Sequence, residues 1–132
     1  MSGRIVQPEG WKRPRGYSNG IAARGEQIFV AGQIGWNERE EIVSADFAEQ
    51  TAAALRNVVA VLRAAGAKPE HLVRLTWYVT DKREYGAALK RIGEVYREIV
   101  GEVYPAMTLV QVADLLEDGA KVEIEATAVV PA

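Results

Sequence analysis

The sequence predicts an α+β domain, and three observations carry that prediction: strict alternation over residues 72–80, two stretches of apolar residues at helical spacing, and the element order ββ-α-β-α-ββ. Its 132 residues make one domain, residues 1–132, with a single core.

Residues 1–15 read as an extended N-terminal segment. Residues 21–24 (Ile-Ala-Ala-Arg) and 27–34 (Gln-Ile-Phe-Val-Ala-Gly-Gln-Ile) flank Gly25-Glu26, which predicts a hairpin with a tight glycine turn. After a polar loop through Asn37 and Glu41, Asp46 with Glu49 three residues on has the form of a capping box. Phe47, Thr51, Leu55, Val58, Leu62 and Ala65 follow at helical spacing, and Gly66 suits the helix end. Residues 72–80 put Val73, Leu75, Trp77 and Val79 on one face and Arg74, Thr76, Tyr78 and Thr80 on the other. Asp81 with Glu84 repeats the capping pattern. Tyr85, Leu89, Ile92, Tyr96 and Ile99 then mark a second amphipathic helix ending at Gly101. Thr108–Ala113 and Lys121–Val130 are the last strands, joined through Asp118-Gly119; Val122, Ile124, Ala126 and Ala128 alternate with Glu123, Glu125 and Thr127. Each half holds one long helix beside strands, a weak structural duplication.

Two helices cover only one face of a sheet of about five strands. The other face would carry Gln111, Glu123, Glu125 and Tyr78 among apolar residues such as Leu109 and Val129. Such a mixed face points to association through the sheet, with polar sites at the seams.

Composition narrows the function. Apolar residues are 48% and charged ones 26%, as in a soluble globular domain. A net charge of −2, with Lys12-Arg13-Pro14-Arg15 as the one basic cluster, argues against nucleic acid as the main partner. Cysteine is absent, and a single histidine, His71, makes no metal site alone. The first residues have no apolar leader core, and no stretch approaches the ~18 apolar residues of a membrane span, so the cytoplasm is the expected compartment.

Several stretches resemble the RidA/YjgF family: Gly16-Tyr17-Ser18, Phe29 to Gly35, Gln50 through Asn57, Ala65-Gly66 and Tyr78-Val79-Thr80-Asp81, then Tyr104-Pro105-Ala106, Leu109 to Val112 and Val122 to Ala126. The resemblance runs in order from about residue 16 to the end. It implies a chorismate-mutase-like α+β fold, a mixed sheet of five to six strands with two helices on one face, and a homotrimer with clefts between subunits. It also implies hydrolysis of reactive enamines and imines to carbonyl compounds and ammonia, with no cofactor or metal and a small molecule as partner.

In that family's deaminases an arginine follows Pro-Ala and pairs with the substrate carboxylate; here the position is Met107. Methionine offers neither charge nor fork donors, so the same pose would lose its bidentate contact. The helix position where those deaminases often carry asparagine falls near Leu89 or Lys90. The residue before the glycine of the first long strand, often serine, is Ala31, and a position that is small or cysteine is Leu109. Tyr17 and Glu123 match.

Imine hydrolysis needs an activated water, a donor to nitrogen and a substrate anchor. Glu123 is the candidate for handling the water, its pKa raised if apolar walls surround it; the plainer reading is a seam carboxylate. Tyr17 is placed to lay its ring over a ligand, or else packs locally. Backbone N–H groups around Ala31-Gly32 and from Thr108 through Leu109 to Val110 would hold a substrate oxygen, since Gly32 allows close approach. Met107 is expected to line the cleft. Arg15, Arg74 and Arg91 are candidate substitutes for the missing charge, with solvated surface arginines the commoner outcome. Trp36 would close the cleft mouth or pack in its loop, and His71 reads as a surface residue.

These residues favour a deaminase whose substrate preference is altered at Met107. The alternative is a non-catalytic trimer that binds small metabolites, favoured by the apolar Ala31, Met107 and Leu109. Acidic pI and a single histidine disfavour ribonuclease chemistry.

Overall fold

The computed structural model describes residues 3–132. In chain order its elements are β1 (Arg4–Val6), β2 (Gly20–Ala22), β3 (Glu26–Ile34), α1 (Phe47–Ala64), β4 (Leu72–Val79), α2 (Lys82–Ala87), α3 (Leu89–Ile99), β5 (Ala106–Gln111) and β6 (Val122–Val130). Four strands form the main sheet in the order β3-β6-β4-β5, with β4 and β5 parallel and the other pairs antiparallel. The mixed α+β fold is as expected, but the sheet has four strands where five to six were expected. Strands β1 and β2 form a separate antiparallel ribbon, so a strand lies within the segment expected to run extended over residues 1–15, whose first two residues lie outside the described ones.

The expected pairing of residues 21–24 with 27–34 is also absent. Ser18 is tied to the far edge of the sheet, its N–H donating to the Pro105 carbonyl at 3.0 Å and its hydroxyl to the Tyr104 carbonyl at 2.6 Å. The chain must therefore cross from β5 to reach β3, and β2 finds its partner in β1 instead. Gly25, at φ +145°, packs against the Val130 carbonyl, leaving no room for a side chain where the crossing ends.

Both helical layers cover one sheet face. Leu55, Val58 and Leu62 of α1 meet Leu72, Leu75, Val79, Val122 and Ile124, all buried. Asp46 accepts from the Glu49 N–H at 3.0 Å, as its spacing predicted, and Gly66 adopts φ +78° just past the helix. Two amides staple α1 to the sheet loops. Gln50, fully buried, donates to the Ser44 and Gly119 carbonyls and accepts from the Lys121 N–H; Asn57 donates to the carbonyls of Ile34 and Trp36. The second predicted helix is divided at Ala88, two residues after the weak helix former Gly86, into α2 and α3. Asp81 caps α2 through the Arg83 N–H at 2.8 Å.

Two residues expected on the uncovered face lie on the other side. Parallel register sets Leu109 beside Trp77 and Gln111 beside Val79, both on the helix side, where Gln111 accepts from the Lys82 N–H at 2.9 Å. A bulge at Leu72/Arg74 likewise puts Leu72, rather than Val73, in the core.

Tyr96 joins α3 to the following loop, its phenol donating to the Val103 carbonyl. Burial, then the neighbouring Tyr104, pushes its pKa well above 10.0. With a folded pKa above the unfolded one, the neutral phenol's contribution is complete below about pH 10 and is lost as pH rises through the folded pKa. Tyr96→Phe is expected to cost about 1–2 kcal/mol at neutral pH, because Val103 loses its donor, and to flatten the alkaline fall in stability. Melting temperature against pH for both proteins checks this.

Candidate functional site

Two sets of side chains stand out. The first lies at the edge of β5, where the Ser18 anchor holds the turn Arg15-Gly16-Tyr17 beside Met107, Thr108 and Leu109. Gly16, at φ +76°, turns the chain there. Between this turn and the strand runs a cleft with two lobes, of about 270 and 340 Å³, floored by Trp77 and Tyr85. The second lobe reaches Leu89, Gly93 and Arg97 on α3. An aromatic ladder stiffens the floor: Trp77 meets Tyr85 edge-on at 6.3 Å and stacks on Tyr96 at 6.5 Å, and Tyr96 stacks on Tyr104 at 5.7 Å.

The second set lies on the open face. A bulge between Val30 and Gln33 leaves Ala31 and Gly32 outside the ladder, beside Glu123 on β6. The Glu123 side chain lies across Gly32 so closely that a Cβ there would collide with its carboxylate. Tyr78 is directly opposite Glu123, and its phenol donates to Oε1 of Glu125 at 2.6 Å. That hydrogen bond first, then burial and the Glu125 and Glu123 charges, raises the phenol's pKa above 10.0, so Tyr78 keeps its proton at neutral pH. Phe29, 72% exposed, flanks a hollow of about 180 Å³ with Arg74, Thr76, Glu125 and Thr127.

The fold thus gathers Tyr17, Met107, Thr108 and Leu109 in one place and Ala31, Gly32 and Glu123 in another. It does not unite the two sets within one copy, because Met107 and Leu109 face the helix side of the sheet and Glu123 the open side. Arg15 lines the cleft; Arg74 is on the open face, and Arg91 pairs with Glu94 at 3.6 Å outside it. Trp36 is held in its loop by Asn57, and Nδ1 of His71 accepts from the Lys68 N–H in the turn before β4. Sequence reasoning missed Arg97 and Tyr85 as cleft residues. Leu89, Gly93 and Arg97 at intervals of four carried the signal, since that spacing puts them on one helix face.

Among the described residues no three metal-binding side chains cluster, and no helix is long and apolar enough to cross a membrane. The family described as Endoribonuclease L-PSP matches residues 11–130. A 2-iminobutanoate/2-iminopropanoate deaminase of Escherichia coli is 37% identical over 105 residues, 80% of each chain. A crystal structure of the Rid family protein YyfB from Yersinia pestis superposes with a TM-score of 0.86 at 33% identity, covering 98% of this chain and 100% of that one. Escherichia coli TdcF with bound serine gives a TM-score of 0.70 at 30% identity, covering 96% and 98%. Together with the order of motifs along the chain, these matches identify it as a member of the RidA/YjgF family.

Proposed function

We propose that this chain is a cytoplasmic hydrolytic deaminase that converts a reactive enamine or imine to a carbonyl compound and ammonia, in sites closed between copies of a homotrimer. The observation that carries the reading is the Glu123 carboxylate laid across Gly32 on a face that has no second wall within one copy. A partner's Tyr17–Met107 edge would supply that wall, and the exposed Phe29 on the same face favours such cover. The deaminase chemistry named for the Escherichia coli relative supports the reaction class, and the serine-bound TdcF supports a small ligand.

Water adds to the imine carbon as Glu123 takes one of its protons. The same carboxyl returns that proton to nitrogen to give the carbinolamine; it then carries the hydroxyl proton to the amino nitrogen as the C–N bond breaks, so that C–O–H becomes C=O and NH3 leaves. Backbone N–H groups near Ala31-Gly32 and Thr108–Leu109 would hold the developing oxygen. Met107 puts an apolar side chain where a cation would otherwise sit, which biases the site toward substrates with larger apolar bodies. The same replacement favours a second reading, a trimer that binds such metabolites without turnover.

Ammonia release from a panel of enzyme-generated imino acids separates the two. The wild type is expected to accelerate hydrolysis of the larger apolar members, and Met107→Arg to shift preference toward 2-aminoacrylate by about tenfold or more. No acceleration of any member by the wild type, with activity gained in Met107→Arg, would establish the binder instead.

A further inference from the structure

We propose that Arg15 and Arg97 together form the anion-binding end of the β5-edge cleft, making it a site for a small carboxylate with a flat or branched apolar body. This deepens the deaminase reading and rests on it for the identity of the reacting group, though not for binding.

Two arginines line the second lobe, Arg15 from the N-terminal turn and Arg97 from α3. No acidic residue lines either lobe among the described residues, and neither arginine makes an ion pair there. Glu102 accepts from the Tyr104 phenol at 2.8 Å. Arg97 is steered into position by a missing side chain: a Cβ on Gly93, one turn earlier, would stand 3.3 Å from its guanidinium, so the head group lies over the glycine. Tyr104, stacked on the buried Tyr96, forms the wall between this cleft and the groove under the N-terminal ribbon. Arg97 also hydrogen-bonds the Tyr104 phenol, which holds it at this wall, and with no carboxylate lining either lobe among the described residues the two cations would bind a carboxylate from two sides.

The rest of the lining sets the apolar half of the ligand. Tyr85, Leu89 and Met107 are the surfaces beside the charged end, and a space of about 340 Å³ suits a molecule the size of an aryl or branched-chain 2-oxo or 2-imino acid. Beneath them the Trp77 indole N–H is buried with no hydrogen-bond partner among the described residues, an unsatisfied donor in the floor common to both lobes. The charge absent at position 107 is thus supplied from across the cleft, and the apolar Met107 becomes part of the wall.

The test is calorimetric titration of the intact protein with phenylpyruvate and with its methyl ester, which keeps the apolar body and removes the charge. The acid is expected to bind at least about tenfold more tightly than the ester. Arg15→Ala and Arg97→Ala should each weaken the acid by about tenfold while changing the ester less than twofold, and Arg91→Ala, paired with Glu94 outside the cleft, should change neither. Equal binding of acid and ester, no measurable binding of the acid, or a loss in Arg91→Ala alone would overturn the proposal. Turnover is read separately. If the acid titrates as expected but no imino acid is hydrolysed, the anchor stands and the deaminase reading falls. If ammonia is released with KM unchanged in Arg15→Ala and Arg97→Ala, the deaminase reading stands and the anchor falls.

Discussion

Gly35→Ala is expected to remove about 3 kcal/mol or more of folding stability, lowering the melting temperature by roughly 10 °C. A Cβ at Gly35 would stand 2.6 Å from Cα, 2.7 Å from Cβ and 2.8 Å from the carbonyl oxygen of Gln50. These are backbone and near-backbone atoms of a helix, so no rotamer change relieves them, and α1 would have to move away from the sheet. Moving it would also strain the three hydrogen bonds of the fully buried Gln50 amide. Gly66→Ala is the control: its φ of +78° disfavours alanine, but nothing lies within 4 Å of the new Cβ. It should cost only about 1 kcal/mol. Urea unfolding of both variants measures the difference; equal losses would mean that the loop after β3 and α1 are not in close contact.

Glu123→Gln is expected to lower kcat by about 10²–10⁴-fold with little change in stability. The amide keeps the shape of the side chain that lies across Gly32 but cannot take a proton from water. The Tyr78 phenol opposite Glu123 donates its hydrogen bond to Glu125, so that bond survives when the charge on residue 123 is removed. Substrate KM should move little, because the anchor lies elsewhere. A fall in kcat/KM carried wholly by KM would instead make Glu123 a binding group.

Much of the fold is legible in short-range pattern. The β4 alternation from Leu75 to Val79, the spacing of α1, the Asp46 cap and Gly66 all express local physics, and each is found where the sequence places it. What the pattern hides is set by distant contacts. Ser18 binds the backbone of Tyr104 and Pro105, far along the chain, and that tie decides whether β2 pairs with β1 or β3. On β5, Thr108, Leu109 and Val110 give a weak alternation, so the side each takes is fixed by its parallel partner on β4. The same holds for the site. Tyr17, Met107 and Glu123 can be picked out one by one, but their distribution over two faces follows from strand order. Arg97 was masked because Tyr85, Leu89, Ile92 and Tyr96 already explain the helix as an amphipathic surface.

The proposed deaminase assembles its reactive site from the Glu123 face of one copy and the Met107 edge of another. Its most direct test is ammonia release after co-refolding Glu123→Gln with Met107→Glu, each variant inactive alone. Every mixed site with both halves intact should work, which for random equimolar assembly is about a quarter of all sites, so activity should return to about a quarter of the wild-type value. A mixture that stays at the level of its parents, although the wild type turns over, would place the whole reaction within a single copy.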